Sequence, residues 1–234
     1  MYVLGRTMVK LGKSGPISYY AYRMPDPEHP HRQQARFIVF DGNEGCGKST
    51  QAKLLQESLL QRQIHSILVR DPGTTRIGEL IRAILLNPDH DEMSMRCEML
   101  LYMAARAQMM KQIIQPALDA GQWVISDRFV SSTLAYQLGG DGLTADEIRT
   151  VGQIAIGHRW PDLTIILDMP VERSIARVQR AKDRIEQRPI EYHARVRQNF
   201  LEQVRNCPDR YRVVNADQPP QIVHQEILKH LFLI

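Results

Sequence analysis

Residues 41–50 read Asp-Gly-Asn-Glu-Gly-Cys-Gly-Lys-Ser-Thr and follow the apolar run Phe37-Ile38-Val39-Phe40. The spacing Gly42-x-x-x-x-Gly47-Lys48-Ser49 suits a turn whose backbone N–H groups face phosphate oxygens, because glycine tolerates the backbone angles that this requires. A helix starting at the end of such a turn adds the positive end of its dipole. Gly42, Asn43, Glu44, Gly45, Cys46, Gly47, Lys48, Ser49 and Thr50 are therefore candidate ATP-binding residues. Lys48 is placed to reach the β- and γ-phosphates, and the Ser49 hydroxyl to meet Mg2+. Small size accounts for Cys46 better than redox chemistry does. The loop carries no arginine, so the charge on a transferring phosphoryl group must be met from elsewhere. No Asn-Lys-x-Asp run occurs, which weakens a guanine-nucleotide reading.

A second acidic site follows another apolar run. Trp123-Val124-Ile125-Ser126 leads into Asp127-Arg128-Phe129. In open parallel sheets functional groups gather at the carboxyl ends of strands. There Asp127 can hold Mg2+ through water, and the planar fork of Arg128 can pair with a substrate phosphate. A structural salt bridge would read the same way. Tyr102 and Arg106 are four apart on an expected helix and share a face. They could offer an aromatic plane and a guanidinium to a base, or be ordinary residues at helical spacing.

The rest of the chain must position these groups. From residue 36 onward short apolar runs alternate with helical patterns. Strands are expected at 36–40, 66–69, 123–126, 163–167 and 212–214, each without polar alternation, as in a parallel strand covered on both faces. Helices are expected at 49–62, 93–120, 144–157, 171–180, 190–206 and 220–231. The alternation predicts an α/β fold in three layers around a central parallel sheet. Residues 1–35 stand apart. Pro25, Pro27 and Pro30 disfavour regular structure over 25–31, so 1–35 reads as an extension or linker, in part disordered, with a weak hairpin signal in 1–22. The domain is expected over 36–234.

Composition limits the function classes. The chain of 234 residues has a hydrophobic fraction of 43% and a charged fraction of 24%, normal for a soluble globular domain. No apolar run is long enough to span a membrane, and the N-terminus lacks the apolar stretch of a signal peptide. Cys46, Cys97 and Cys207 are odd in number and in no metal spacing, which points to the reducing cytoplasm. The net charge of +4 could suit nucleic acid, but the basic residues are dispersed, and a phosphate-handling enzyme needs them too.

Four blocks together resemble the thymidylate kinase (dTMP kinase) family in its bacterial form. They are FIVFDGNEGCGKST, VRDPGTTRIGELIR, LLYMAARAQ with QPALDAGQWVISDRFVSSTLAYQ, and DLTIILDMPVERSIAR followed by DRIEQ, spanning about 36–225. The resemblance implies a P-loop nucleoside monophosphate kinase fold and transfer of the ATP γ-phosphoryl to dTMP with Mg2+. It puts Glu44 near the acceptor sugar and the metal, Tyr102 where a Phe usually stacks on thymine, and Arg106 on the thymine O4. Arg128 falls on the arginine that holds the acceptor phosphate, and Arg70 on the phosphate side. Ser132, Thr133 and Gln137 fall along the base pocket, and Tyr136 crowds the sugar 2′ position. A homodimer through helices on one sheet face is also implied.

The sequence departs from the family pattern at three points. Tyr102 replaces Phe, Phe129 replaces Tyr, and Asp-Pro-Gly-Thr-Thr replaces a motif near Glu-Pro-Gly-Gly-Thr. Tyr102 and Phe129 are expected to touch the pocket, so a kinase for another deoxynucleoside monophosphate stays open, as does a non-catalytic nucleotide-binding regulator. The missing positive charge has one strong source. Arg173, Arg177, Arg180 and Arg184 are spaced four, three and four apart, which on a continuous helix makes one stripe. A solvated basic face would read alike. The stripe runs into Asp183-Arg184-Ile185-Glu186-Gln187, which resembles the family's lid, expected at about 172–188. The resemblance implies catalytic arginines there, first Arg177 and Arg180, then Arg184. Val214 to Pro219 resembles the loop that borders the adenine.

Overall fold

A computed structural model describes residues 35–179 and 181–232. The hairpin and linker expected within 1–31 lie outside the described residues, and so does Arg180.

Five strands form one parallel sheet: β1 (Phe37–Asp41), β2 (Ser66–Arg70), β3 (Trp123–Asp127), β4 (Leu163–Asp168) and β5 (Tyr211–Asn215), in the order β2-β3-β1-β4-β5. Side chains alternate between the faces of a strand, and both faces of this sheet are covered, so β1 is apolar at successive positions. Ile38 and Phe40 pack with Leu55, Leu59 and Ile227, from helices α1 (Lys48–Gln61) and α9 (Pro220–Phe232). Phe37 and Val39 pack toward Met103 of α3 (Met95–Met109) and Ile148 of α6 (Ala145–Ile156). This is the expected three-layer α/β architecture. All five strands start within a residue of their expected positions and extend by one residue toward the carboxyl end, where the candidate site lies.

Two helices were not anticipated, α2 (Arg76–Leu86) and α5 (Val130–Tyr136). Thr75 caps α2, its hydroxyl accepting from the Gly78 N–H at 2.9 Å. Two expected helices need correction. The span 93–120 is not one helix. It starts at α3, passes through a wider π-type turn at Met110–Ile114, and resumes as α4 (Gln115–Asp119). Pro116 has no N–H for the regular ladder, which accounts for the break in register. The span 171–180 is helical only as α7 (Val171–Ala176). Its last bonds tighten, with the Arg177 N–H reaching Ser174 O at 3.2 Å and the Val178 N–H reaching Ile175 O at 3.0 Å. Gly45 of the loop packs against this end, where a Cβ would lie 2.0 Å from Ser174 O. The stripe of Arg173, Arg177, Arg180 and Arg184 on one continuous helix is therefore not formed. The remaining helix, α8 (Ile190–Asn206), has its expected bounds.

The turn after β2 carries a residue in an unusual conformation. Thr74 has φ +65°, a left-handed value that costs a β-branched residue about 1–3 kcal/mol. Its hydroxyl closes the turn, accepting from the Arg70 N–H at 2.8 Å and donating to Arg70 O at 3.0 Å. We expect Thr74→Val, which keeps the shape and loses both bonds, to destabilise by about 1–2 kcal/mol. Thr74→Gly loses the same bonds but relieves the backbone, and should stay within about 1 kcal/mol of the parent. Thermal melts of the two variants check this; an undiminished Thr74→Val would mean that the hydroxyl does not hold the turn, and equal losses that glycine relieves no backbone strain.

Candidate active site

The site assembles where β1, β2 and β3 end. Asp41 terminates β1 with its side chain fully buried, accepting from Ser131 Oγ at 2.6 Å and Ser132 Oγ at 2.7 Å. Burial pushes the Asp41 carboxyl up from its ordinary range, against the pull of Arg128. The chain then turns through Gly42, where a Cβ would sit 2.5 Å from Leu167 O. Gly47, at φ +94°, leads into α1. Lys48 is buried, and its Nζ donates to Asn43 O at 2.6 Å and Gly42 O at 3.2 Å. Cys46 is buried too, and burial pushes its thiol up, which keeps the sulfur unreactive.

Arg128 is the central group. It leaves β3 at φ +74°, with its N–H on Phe40 O at 2.9 Å. One guanidinium nitrogen donates to Asp41 at 3.2 Å, Gly42 O at 3.1 Å and Ser132 Oγ at 3.0 Å. The other pairs closely with Glu44 and reaches the Tyr136 hydroxyl at 3.3 Å. Burial opposes its charge, but Glu44, Tyr136 and Asp41 outweigh burial and hold it well above the usual arginine value. Ser49 Oγ donates to Asp127 Oδ2, so the hydroxyl and the carboxylate expected at the metal are in contact.

A pocket beside this centre is walled by Glu44, Tyr102, Arg106, Arg128, Ser132, Thr133, Tyr136 and Gln137, eight of the residues singled out in the sequence. Tyr102 is half-buried, and burial, then Glu98, raises its phenol. Arg106 is 1% exposed and largely satisfied by protein, with Asp71 Oδ2 at 2.7 Å, Phe129 O at 3.0 Å and Thr133 Oγ1 at 3.4 Å.

Sequence reasoning missed Asp71, Pro72, Arg82, Leu86, Asp183 and Ile185, which complete the wall. A basic residue on the inward stripe of α2, with Gly78 four before Arg82 and Leu85 three after, was the available signal. The Arg82 guanidinium donates to Pro72 O at 3.0 Å. Burial, then Arg70, depresses its pKa, so positive charge is concentrated here. Arg70 itself stands outside the pocket wall, exposed and paired with Glu79 at 3.0 Å.

Three expectations change. Phe129 does not touch the pocket. It is fully buried, edge-on to Phe37 at 4.9 Å between ring centres, so its missing hydroxyl is a matter of core packing. Arg184 does not extend a basic stripe. It is 8% exposed, paired with Glu98, and its Nε donates to Leu85 O at 2.9 Å. Arg177 sits at the end of α7 and faces the turn after β5, 3.5 Å from Ala216 O and 3.8 Å from Asp217.

A glycine-rich loop leading into a helix, an acidic strand end and a pocket lined by charged and aromatic side chains meet here. A family model described as Thymidylate kinase matches residues 40–227. The chain belongs to the thymidylate kinase family. It is 45% identical over 184 residues to a thymidylate kinase of Desulforudis audaxviator, covering 78% of this chain and 83% of that one. It is 43% identical over 199 residues to one of Pelotomaculum thermopropionicum, covering 84% and 92%. The crystal structure of thymidylate kinase from Ehrlichia chaffeensis superposes with a TM-score of 0.69 at 30% identity, covering 85% of this chain and 99% of that one. The family's phosphate loop and pocket blocks are thus the segments that this fold brings together.

One buried histidine joins the loop to α8. His193 is 2% exposed, its carbonyl accepts from Asn43 Nδ2 at 3.2 Å, and its Nε2 meets no hydrogen-bond partner among the described residues. Burial lowers its pKa below 6.5, with Glu44 opposing. His224 is lowered as well, by burial and then Arg62. Below about pH 6.5 the unfolded chain binds protons that these folded imidazoles refuse, so stability falls on acidification and is level above it. We expect His193→Gln to flatten part of the loss of unfolding free energy between about pH 7.5 and about pH 5.5. Denaturant titrations at fixed pH check this; an unchanged acid slope would mean that His193 is protonated when folded.

Proposed function

We propose that this chain transfers the γ-phosphoryl of ATP to dTMP, giving ADP and dTDP, as a step toward dTTP. The observation that carries the reading is the joining of phosphate loop and acceptor pocket through Arg128. One guanidinium touches the loop at Gly42 O and the pocket at Ser132 and Tyr136. Donor and acceptor are thereby held in one frame, and phosphoryl transfer depends mainly on positioning and on stabilising charge.

The roles proposed here rest on the family resemblance, with the pocket geometry in support. Lys48 and the loop N–H groups of residues 42–50 take the donor phosphates. Arg128 and Arg82 bind the acceptor phosphate, with Arg70 behind them, and Glu44 and Tyr136 border the sugar. Tyr102 offers its ring to the base, and Arg106, Ser132, Thr133 and Gln137 shape the rest of the pocket. The acceptor phosphate is the nucleophile and is already ionised near neutral pH, so no strong general base is needed. Arg177 and Arg180 are the lid groups that meet the transferring charge. Arg184 is assigned to positioning instead, because its guanidinium is occupied by Glu98.

Ser49 and Asp127 form the Mg2+ site. A hydroxyl and a carboxylate oxygen in contact suit a hard cation that takes few protein ligands beside phosphates and water. Among the described residues no cluster of three or more His, Cys, Asp or Glu could hold a metal by itself, consistent with a metal that arrives with the nucleotide. Bound there, Mg2+ would neutralise charge on the β- and γ-phosphates.

The catalytic domain is taken as 36–234 with its lid near 172–188. Among the described residues no helix is long and apolar enough to cross a membrane. The reduced cysteines support a cytoplasmic setting. Ile77, Leu80 and Ile84 of α2, Leu100 of α3 and Ile154 of α6 are exposed. Since α3 packs against both α2 and α6, we read this apolar face as the contact of a homodimer.

ADP release, measured by a coupled assay across dTMP, dUMP, dCMP, dGMP and dAMP, tests the function. We expect dTMP to be preferred and Lys48→Ala to lower kcat at least about a hundredfold. No preference for thymine or uracil would favour another deoxynucleotide kinase, and no turnover would favour a binding protein. Sedimentation tests the assembly: Leu80→Glu with Ile154→Glu should convert a dimer to a monomer. An unchanged mass would move the interface elsewhere.

A further inference from the structure

Glu98 is buried to 0% exposure in the wall behind the pocket, where an isolated carboxylate would be costly. Three groups surround it. Arg184 Nη2 pairs with Oε2, Arg188 Nη2 donates to the same oxygen at 2.7 Å, and Gln137 Nε2 donates to Oε1 at 2.7 Å. Both arginines are themselves anchored. The Arg184 N–H donates to Leu86 O at 3.2 Å, and the Arg188 guanidinium lies 4.6 Å from the Tyr192 ring centre. The Tyr192 hydroxyl in turn donates to Tyr136 O at 2.8 Å.

A carboxylate between two guanidinium groups accepts hydrogen bonds and donates none. A carboxamide facing it must therefore present nitrogen. Gln137 is 1% exposed, lines the pocket and meets Glu98 through Nε2. Its Oε1 accepts no hydrogen bond from the described residues and is not sealed from solvent. The carboxamide thus offers the pocket an acceptor.

We propose that Glu98 is a positioning residue that fixes the polarity of base reading by holding the Gln137 carboxamide in one orientation. The proposal rests on the reading of this pocket as the dTMP site. An acceptor at Gln137 pairs with the N3–H of thymine or uracil. Cytosine has a lone pair at N3, so the same oxygen repels it. Arg184 and Arg188 hold Glu98 from the 183–188 segment, so this reading is tied to the base of the lid.

The test is the ratio of kcat/KM for dTMP over dCMP in the full-length enzyme, once the parent has shown a thymine preference. A parent without that preference defeats the functional reading; the inference concerns only how variants change the ratio. Glu98→Gln can offer either end of its amide to Gln137, so the ratio should fall at least about tenfold, equivalent to about 1.4 kcal/mol. Gln137→Leu removes the acceptor and should lower the ratio similarly. In the Gln137→Leu background, Glu98→Gln should change the ratio no further, because it acts through Gln137. A purely structural Glu98 would lower both substrates equally and leave the ratio intact. Such a result, or Gln137→Leu keeping the parental ratio, overturns the proposal. The Gln137→Leu arm stands even if Glu98→Gln fails to fold.

Discussion

The site depends on one half-buried guanidinium. Arg128 leaves the end of β3 in a left-handed conformation, which turns its side chain across to β1 rather than along its own strand. From there it reaches Asp41, Gly42, Glu44, Ser132 and Tyr136 with a single planar group. Only arginine has enough donors in a fixed plane to do this. The left-handed backbone costs about 1–3 kcal/mol. Burying Asp41 and the guanidinium adds desolvation that their mutual attraction offsets only in good geometry. The hydroxyls of Ser131 and Ser132 supply that geometry by satisfying the remaining oxygens of Asp41. The strained residue, the buried carboxylate and the short serine-rich α5 make sense as one unit.

Charge around the pocket is divided by the same logic. Arg106 is close to neutralised by Asp71, so it acts as a wall and a hydrogen-bonding surface rather than as a free charge. Arg184 and Arg188 share Glu98. Arg128 is paired with Asp41 and Glu44, while Arg82 has no ion pair among the described residues and feels Arg70 and Arg128 as repulsion. A phosphate dianion bound there, as proposed, would relieve that repulsion. The tension among like charges is therefore a feature of preorganisation, since the donors stand in place before the charge arrives.

Much of this was legible in the sequence, for physical reasons that also set the limit. The strands could be found because a parallel strand covered on both faces leaves an uninterrupted apolar run. The loop could be found because glycine is required where backbone meets backbone, at Gly42 against Leu167 and Gly45 against Ser174. Helix α5 was missed because a seven-residue segment with Ser131, Ser132 and Thr133 has weak intrinsic helix preference and forms through its buried contacts. Helix α2 was hidden because several of its apolar residues, Ile77, Leu80 and Ile84, face outward. The arginine stripe misled because spacing cannot show where a helix stops. Here α7 stops where Gly45, over a hundred residues earlier, packs against its last turn. That is a tertiary fact with no local signature.

The same contrast sorts the departures from the family pattern. Thr74 stands where glycine would be the natural choice, but its hydroxyl closes the turn with Arg70, and Glu79 Oε1 accepts from its N–H at 2.8 Å. Phe129 lacks the hydroxyl at a fully buried position, packed against Phe37 and beneath the Arg106 guanidinium, 5.2 Å from its ring centre. Neither change reaches the pocket. Tyr102 does, and its phenol feels Glu98, Arg128 and Glu44 from the two sides of the pocket. Asp71, standing where the family pattern has Glu, lines the pocket as well and pairs with Arg106. Any shift in acceptor preference would then arise from how the Tyr102 phenol and the Asp71–Arg106 pair share the pocket wall, because Thr74 and Phe129 do not line it.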